Sequence, residues 1–523
     1  MKYLSHHFQA LFVFLSCVVS FSFASSLHLE STSPEIYPNL STQAFRGLII
    51  QRDVLRPVPL SQLPSLGVNF TQVFLPSNNH HFGNSTELEN YINVLLNSGI
   101  GTLGIDIVYD TDQWNIHNTN IPFAWFLKVI QRYISSTQSE VSVTSLFLIL
   151  KVRYLDTVVE QVSFNATTLN TLNHDIEANI NVNKIFRPQQ QGANQTWPIL
   201  NNFLYSSSQR LVIFSANKDS YTNKVLGGNK TFVFTSEAIN YMDVPDKSEI
   251  NIEHPVSSDL NFPIVASDNY NETSIKDVLY NGYMPLISNT NLTEIPILLN
   301  STLLWGWKKG QPSETYALDP FARDNNKISS FACASLQYDY ETNSSFWKVS
   351  DCYQKLPILC HNADDNEWFI PTKHKIQFFS VTSDNEQVSN NHGCPDGYLF
   401  NIPTTPLAIS QLNYAFSKQY EEDQASFYFA NGTNNSVWID LNSISASNCW
   451  VVGGSHAICP YAKYVTARNF VKMVLPLACC IGALLLIVIL LKFRKLPIQN
   501  NRRRWRRIVK ESEKNAAADG VPS

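Results

Sequence analysis

Between Met473 and Leu491 the chain reads "MVLPLACCIGALLLIVILL", nineteen residues without a charge. It then turns basic at once, with Lys492, Arg494, Lys495, Arg502, Arg503, Arg504, Arg506 and Arg507. About twenty apolar residues are what a bilayer's hydrocarbon core asks of a helix, and Pro476 near the start of such a segment is tolerated. Lys and Arg gather on the cytoplasmic flank of a span. Residues 472–492 are therefore read as one transmembrane helix and 493–523 as a basic cytoplasmic tail. The other end agrees: Lys2, the run "ALFVFLSCVVSFSFA" and the small residues Ser22, Ala24 and Ser25 make residues 1–24 a signal peptide. The chain is expected to be a single-pass type I membrane protein of the secretory pathway or cell surface, its ectodomain luminal or extracellular.

That topology governs the rest of the reading. The segment from Lys492 onward carries +7, which leaves −12 on residues 1–491 of a chain whose net charge is −5. An acidic ectodomain makes a poor nucleic-acid binder, and no direct nucleic-acid contact is expected. The "RRRWRR" run beside a span suits anionic lipid headgroups. Twelve Asn-x-Ser/Thr sequons precede the span, at Asn39, Asn69, Asn84, Asn165, Asn194, Asn229, Asn271, Asn291, Asn300, Asn343, Asn431 and Asn434. A glycoprotein is expected. Cys17 leaves with the signal and Cys479 and Cys480 lie in the span. Six cysteines remain for disulfides: Cys333, Cys352, Cys360, Cys394, Cys449 and Cys459. No CxxC or histidine spacing suggests a metal, and no cofactor is expected. Residues 27–332 hold no cysteine, so a large unstapled part precedes a smaller stapled one.

In the unstapled part, residues 44–300, apolar runs alternate with helical patterns. "RGLII" (46–50) is read as a short buried strand. "STELENYINVLLNSG" (85–99) is read as a helix opened by a Thr86–Glu89 capping box and stopped by Gly99. "GIGTLGIDIVYDTDQWNIHN" (99–118) follows as a strand that opens into Asp106, Asp110, Asp112, Trp114 and His117. Residues 121–135 read as helix, 145–152 as strand, "TWPILNNFLYS" as helix, and "RLVIF", "TFVF" and "FPIVAS" as strands before the helix "ETSIKDVLYNGY". Such alternation predicts a parallel α/β barrel or a doubly wound sheet.

The order "GIGTLGIDIVYD…W" then "LFLILKV" resembles the second and third strands of the phosphatidylinositol-specific phospholipase C-like phosphodiesterase barrels. The resemblance implies a TIM barrel cutting phosphodiesters with two histidines and an arginine. The first histidine would end the first strand, where this chain reads "GLIIQRD" with Arg52 and Asp53. The arginine belongs in a D-x-R on the second strand, which here is Asp106-Ile107-Val108, and only His117 is left for the second histidine. Acid–base catalysis needs two groups on opposite sides of phosphorus. A degenerate, non-catalytic barrel is expected, with Arg52, Asp53 and His117 as the alternative catalytic set.

Residues 301–361, with "STLLWGWKKGQPSETYALDP", "FACASL" and "FWKVSDCYQKLPILCHN", resemble the second half of a C-type lectin-like domain. Trp305, Trp307, Gly310, Pro312, Cys333, Trp347, Cys352, Pro357 and Cys360 match its pattern, and the resemblance implies a Cys333–Cys352 bridge. Its calcium triplets are replaced by Gln311-Pro312-Ser313 and Trp347-Lys348-Val349, so no calcium site is expected. Residues 362–463, with Cys394, Cys449 and Cys459, are read as a second, divergent lectin-like module, helical over "TPLAISQLNYAFSKQ" and extended over "SVWIDL". The fold expected is thus α/β, a degenerate phosphodiesterase-like TIM barrel followed by disulfide-stapled α+β lectin-like modules and one transmembrane helix. The whole order is similar to the fungal maintenance of telomere capping protein 6 family. That resemblance implies a part in telomere capping, which the topology makes indirect. A binding or scaffolding ectodomain for a glycan, lipid headgroup or protein is expected. The alternative is a phosphodiesterase acting on inositol- or glycerol-linked phosphate.

Overall fold

In the computed structural model, the α/β alternation of residues 67–287 builds a parallel sheet that wraps most of the way round a barrel. The structure describes residues 41–75, 85–110, 113–153, 166–191, 196–218, 231–243, 261–288, 294–312, 331–371, 375–381, 393–422, 428–429, 436–446, 449–461, 467–495 and 498–518. These fall in two units, Met1–Cys459 and Pro460–Ser523.

The barrel strands are β1 (Gly67–Asn69), β2 (Thr102–Asp110), β4 (Leu146–Val152), β5 (Ile185–Phe186), β6 (Leu211–Ser215), β7 (Val233–Phe234), β8 (Ile239–Asp243), β9 (Phe262–Ser267) and β10 (Met284–Ile287). Their order is β5-β6-β4-β2-β1-β10-β9-β8, with β7 also on β6, and these neighbours run parallel. The first strand pairs with the last, as in a closed barrel, but no pairing joins β7 to β8 among the described residues. β3 (Gln113–Ile116) folds back antiparallel on β2. Apart from β8, where Asn240 is exposed, and the exposed end of β2, the strands are buried on both faces, as parallel strands under helices must be. Along β4, Leu146, Leu148 and Leu150 face outward to helices Ser85–Asn97 (α3) and Phe123–Ser136 (α4), while Phe147 and Ile149 face inward. The interior is filled with aromatic rings. Trp197 meets Phe262 edge-on at 4.6 Å, and Phe214 lies 4.8 Å from Phe262.

Two local expectations change. "RGLII" is not a strand but part of a helix, α1 (Thr42–Val54), capped by Ser41, whose hydroxyl accepts the Ala44 N–H. Its buried residues Gly47, Ile50, Gln51 and Val54 recur at three- and four-residue spacing, the period of a helix. The barrel's first strand is Gly67–Asn69 instead. Thr86 lies inside α3 rather than at its cap, whereas the expected stop is present. Gly99 has φ +92°, its N–H donates to Leu96 O, and the Ile100 N–H donates to Leu95 O, the paired bonds of a Schellman close. A Cβ at Gly99 would sit 2.9 Å from Leu48 of α1. Gly99→Ala should therefore cost about 1–2 kcal/mol in a chemical-denaturation measurement, from the positive φ alone. An unchanged midpoint would contradict it. "TWPILNNFLYS" closes as a single wide turn, Asn202–Ser206.

The stapled part is one body, not two modules. β11 (Cys333–Asp339) lies between β12 (Ser344–Ser350) and β16 (Ser436–Asn442), so a strand from each side of residue 361 joins one sheet. A second sheet sets β13 (Cys360–Asn362) between β14 (Glu367–Phe369) and β15 (Leu399–Phe400). The disulfides are Cys333–Cys352, Cys360–Cys394 and Cys449–Cys459. The first is the pair implied by the lectin-like pattern, and the second crosses the expected boundary. β16 and Cys394 thus join the sheet and the bridge begun before residue 361. The barrel's interior cluster runs without a break into this part through Trp305, Trp307, Trp347, Leu336 and Leu412.

Among its described residues the second unit has two helices. α9 (Ala467–Lys495) contains Val474–Lys492, long and apolar enough to cross a membrane. α10 (Ile498–Ala518) carries the basic run and leaves Trp505, Ile508 and Val509 exposed.

Candidate functional site

Pleat alternation decides which side chains face the barrel's interior at its carboxyl-terminal mouth, where barrels of this kind hold their chemistry. Because Phe147 and Ile149 point inward, so do Lys151 and, in register with it, Asp106. Asn115, opposite Val108 on the β2–β3 hairpin, shares that face. His117 follows β3 with its N–H donating to Asp106 O at 2.9 Å.

Asp106 anchors the group. It is 2% exposed, and its Oδ2 accepts both Nε and Nη2 of Arg153 at 2.8 Å. Its N–H donates to the Thr71 hydroxyl at 2.9 Å. Asp106 Oδ1 has no hydrogen-bond partner among the described residues, and neither has Asn115 Oδ1. Asn115 is 6% exposed. A buried acceptor left unmade costs about 1–3 kcal/mol, so each of these oxygens would gain from a hydroxyl or amine donor. Arg153, whose side chain is 37% exposed, and half-buried Lys151 add positive charge to the same face. The arrangement can hold a polyhydroxylated ligand bearing negative charge.

Other described residues at this mouth hold the structure. Asn69, at the end of β1, caps the helix Phe70–Phe74 by accepting the Gln72 N–H. Asn217 holds the end of β4, accepting from Val152 N and donating to Val152 O. Trp114 is buried and donates to Thr171. Asp110 is exposed at the hairpin turn, and Asp112 lies outside the described residues.

Arg52, Asp53 and His117 do not converge. Arg52 and Asp53 end α1 and pair with each other at 2.9 Å, and Arg52 donates to the carbonyls of Val141 and Val143, just before β4 begins. His117 belongs to the opposite end, beside Asp106, whose register partner is Lys151. At about 3.3 Å per residue, the length of β4 puts roughly 20 Å between them. A first strand at 46–50 would bring Arg52 and Asp53 to the mouth, whereas α1 puts them at the opposite end. Arg153 has a signal in the sequence, a charge just past an apolar strand, and Asn115 has none. No cluster of three or more metal-ligating side chains occurs among the described residues.

The sequons divide by burial. Asn271, Asn300 and Asn343 are exposed. Asn69 is 4% exposed and Thr71 2%, both inside the barrel end, so the folded chain cannot offer Asn69 to a glycosyltransferase. The other eight lie outside the described residues.

Comparison with known proteins gives the following. Residues 38–305 match the family model described as the MTC6 partial TIM-barrel domain. A Zygosaccharomyces rouxii protein named "Maintenance of telomere capping protein 6" is 31% identical over 514 residues, 94% of each chain. A Saccharomyces cerevisiae protein of the same name is 28% identical over 522 residues, again 94% of each. Among solved structures, a calcium-dependent phosphoinositol-specific phospholipase C from Pseudomonas sp is 11% identical with TM-score 0.32, covering 46% of this chain and 92% of its own. The Staphylococcus aureus phosphatidylinositol-specific phospholipase C is 10% identical with TM-score 0.32, covering 50% and 99%.

Proposed function

This chain belongs to the maintenance of telomere capping protein 6 family, and we propose that it is a type I membrane glycoprotein whose barrel binds a hydroxylated, anionic headgroup or glycan without turning it over. The observation that carries this is the pair of buried acceptors, Asp106 Oδ1 and Asn115 Oδ1, that have no donor among the described residues, on one face with Lys151 and beside Arg153. The non-catalytic half of the reading rests on the commitment of Asp106 to Arg153 and on the distance of Arg52 and Asp53 from His117. The stapled part serves as a lectin-like scaffold closing the barrel's core. The basic α10 meets anionic lipid on the cytoplasmic side, while the ectodomain lies in the secretory pathway or at the cell surface. The relatives' name concerns telomere capping; with the ectodomain across a membrane from nuclear DNA, this chain's part in it is indirect.

The test uses the full-length protein. myo-Inositol 1-phosphate and a mannose oligosaccharide serve as probes for binding, and phosphatidylinositol and glycerophosphodiesters as substrates for turnover. Loss of a charge-assisted contact should weaken binding about tenfold or more in Asp106→Asn and in Arg153→Gln. No turnover should appear. Phosphodiester hydrolysis abolished by His117→Ala would replace this reading with the phosphodiesterase one, which the seat of His117 beside Asp106 favours. Endoglycosidase should lower the mass by several glycans, with the Asn69 peptide recovered unmodified. An unshifted mass, or a tail epitope outside the cytosol, would overturn the topology.

A further inference from the structure

The tail helix α10 is basic, but its charge is not spread evenly round the helix. At about 3.6 residues per turn, Trp505, Val509, Ser512 and Ala516 fall on one stripe, with Ile508 at its edge. Trp505, Ile508 and Val509 are 65, 47 and 49% exposed. The Ser512 hydroxyl does not break the stripe, because it donates to Val509 O at 2.8 Å. Arg503, Arg506, Arg507, Lys510 and Lys514 share the other side. From residue 505 to residue 516 the stripe holds one direction, over about 16 Å of helix.

The basic side is out of balance. Arg502–Arg506, Arg503–Arg507, Arg506–Lys510 and Lys510–Lys514 are like-charged neighbours one turn apart, and Arg507–Glu511 is the single opposite pair at that spacing. Like charges four residues apart destabilise a helix. A helix takes most of its stability from packing its apolar face against something. α10 therefore calls for a surface that is apolar within and negative at its boundary. Only Leu496 and Pro497 separate it from α9, so its first turn starts within about 11 Å of the span helix.

We propose that α10 lies flat in the membrane interface, with Trp505, Ile508 and Val509 seated among the acyl chains of an anionic leaflet and the arginines at its headgroups. This rests on the proposed reading of residues 472–492 as a span and deepens it, because the tail is then inserted rather than held near the surface by charge alone. Interfacial helices of this kind sink about 5–10 Å into the boundary between headgroups and chains, a depth that Trp favours. The anionic headgroups supply the counter-charge that the like-charged pairs lack within the helix.

The experiment reconstitutes the full-length protein, carrying Cys479→Ala and Cys480→Ala, into phosphatidylcholine vesicles with or without phosphatidylserine. Nitroxide labels enter one at a time through Trp505→Cys, Ile508→Cys or Val509→Cys and, as references, through Arg503→Cys or Arg507→Cys. Collision with oxygen, set against collision with a water-soluble nickel complex, reads the depth of each label. With phosphatidylserine, the labels at 505, 508 and 509 should lie below the phosphates and those at 503 and 507 in water. Without it, the first three should shift toward water. Equal depth in both vesicles would overturn the choice of an anionic leaflet. Five equally aqueous labels would overturn the insertion, and so would spin–spin broadening at 505 and 509 with neither collider admitted, the mark of two α10 helices paired. A label at Leu485→Cys reads the span separately. Oxygen exposure there, with 505, 508 and 509 aqueous, would remove this inference and leave the topology standing.

Discussion

Trp347→Ala is expected to lower the unfolding free energy of the unit Met1–Cys459 by about 3–5 kcal/mol, the range for emptying a buried aromatic site. The residue is fully buried at the centre of β12, with the Trp305 and Trp307 rings edge-on at 5.2 and 5.7 Å. Gly306 lies flat against it, because a Cβ there would come within 2.8 Å of the indole, and the Trp347 N–H donates to Gly306 O at 2.7 Å. Domains are stable by only about 5–15 kcal/mol, so the loss is a large fraction of the total. The cluster is continuous with the barrel's aromatic interior, so barrel and stapled part should lose protease resistance together. Trp347→Phe should cost clearly less. It keeps most of the ring contact and removes an indole N–H that has no acceptor among the described residues. Denaturant unfolding of the purified protein, followed by proteolysis, measures both. Equal midpoints for Trp347→Ala and the parent would show that this cluster does not hold the unit together.

Loss of the Cys333–Cys352 bridge is the second large effect. The two cysteines are fully buried, nineteen residues apart, and tie the open end of the β11–β12 hairpin, where Cys333 faces Ser350. In the chain-entropy model a loop of about that length makes the bridge worth roughly 3 kcal/mol, although the origin of the stabilisation is disputed. Cys352→Ala also leaves a cavity and a free thiol at Cys333. Because β11 pairs with β16 on its other edge, the damage should spread beyond the hairpin to the sheet shared by both halves of the stapled part. The cysteine-free barrel should not be spared, since its interior continues into that sheet. On the proposed secretory topology, the expected outcome is retention in the endoplasmic reticulum with Cys333 open to alkylation. Non-reducing peptide maps and export kinetics are the measurements. Normal export with an alkylated Cys333 would show that the bridge is dispensable.

Much of this molecule is legible along the chain because the signals concerned are local. An apolar run of nineteen residues is a span-length helix whatever else the chain does. The strands around residues 102–110, 146–152, 211–215 and 262–267 declare themselves because a strand buried on both faces can carry almost nothing but apolar residues. Gly99 announces the end of α3 because few other residues take a positive φ cheaply. The short run at residues 46–50 misleads for the same physical reason. Five apolar-rich residues fit either period, and only the burial of α1 against the barrel floor chooses the helix.

What tertiary structure alone decided is which distant residues meet. Asp106 was legible as a charge within an apolar strand, but its ion pair with Arg153 depends on the register of two parallel strands, which neither strand encodes by itself. Asn69 reads as a glycosylation site until β1 is placed at the barrel's centre and buries it. Cys360 pairs with Cys394, and Ser436–Asn442 completes a sheet begun a hundred residues earlier, because the cysteines and strand edges find partners across the fold. Local pattern determined the elements, the span and the chemical character of each segment. Their company was decided by packing, where the interior of an incomplete barrel had to be closed by whatever apolar surface the rest of the chain could bring to it.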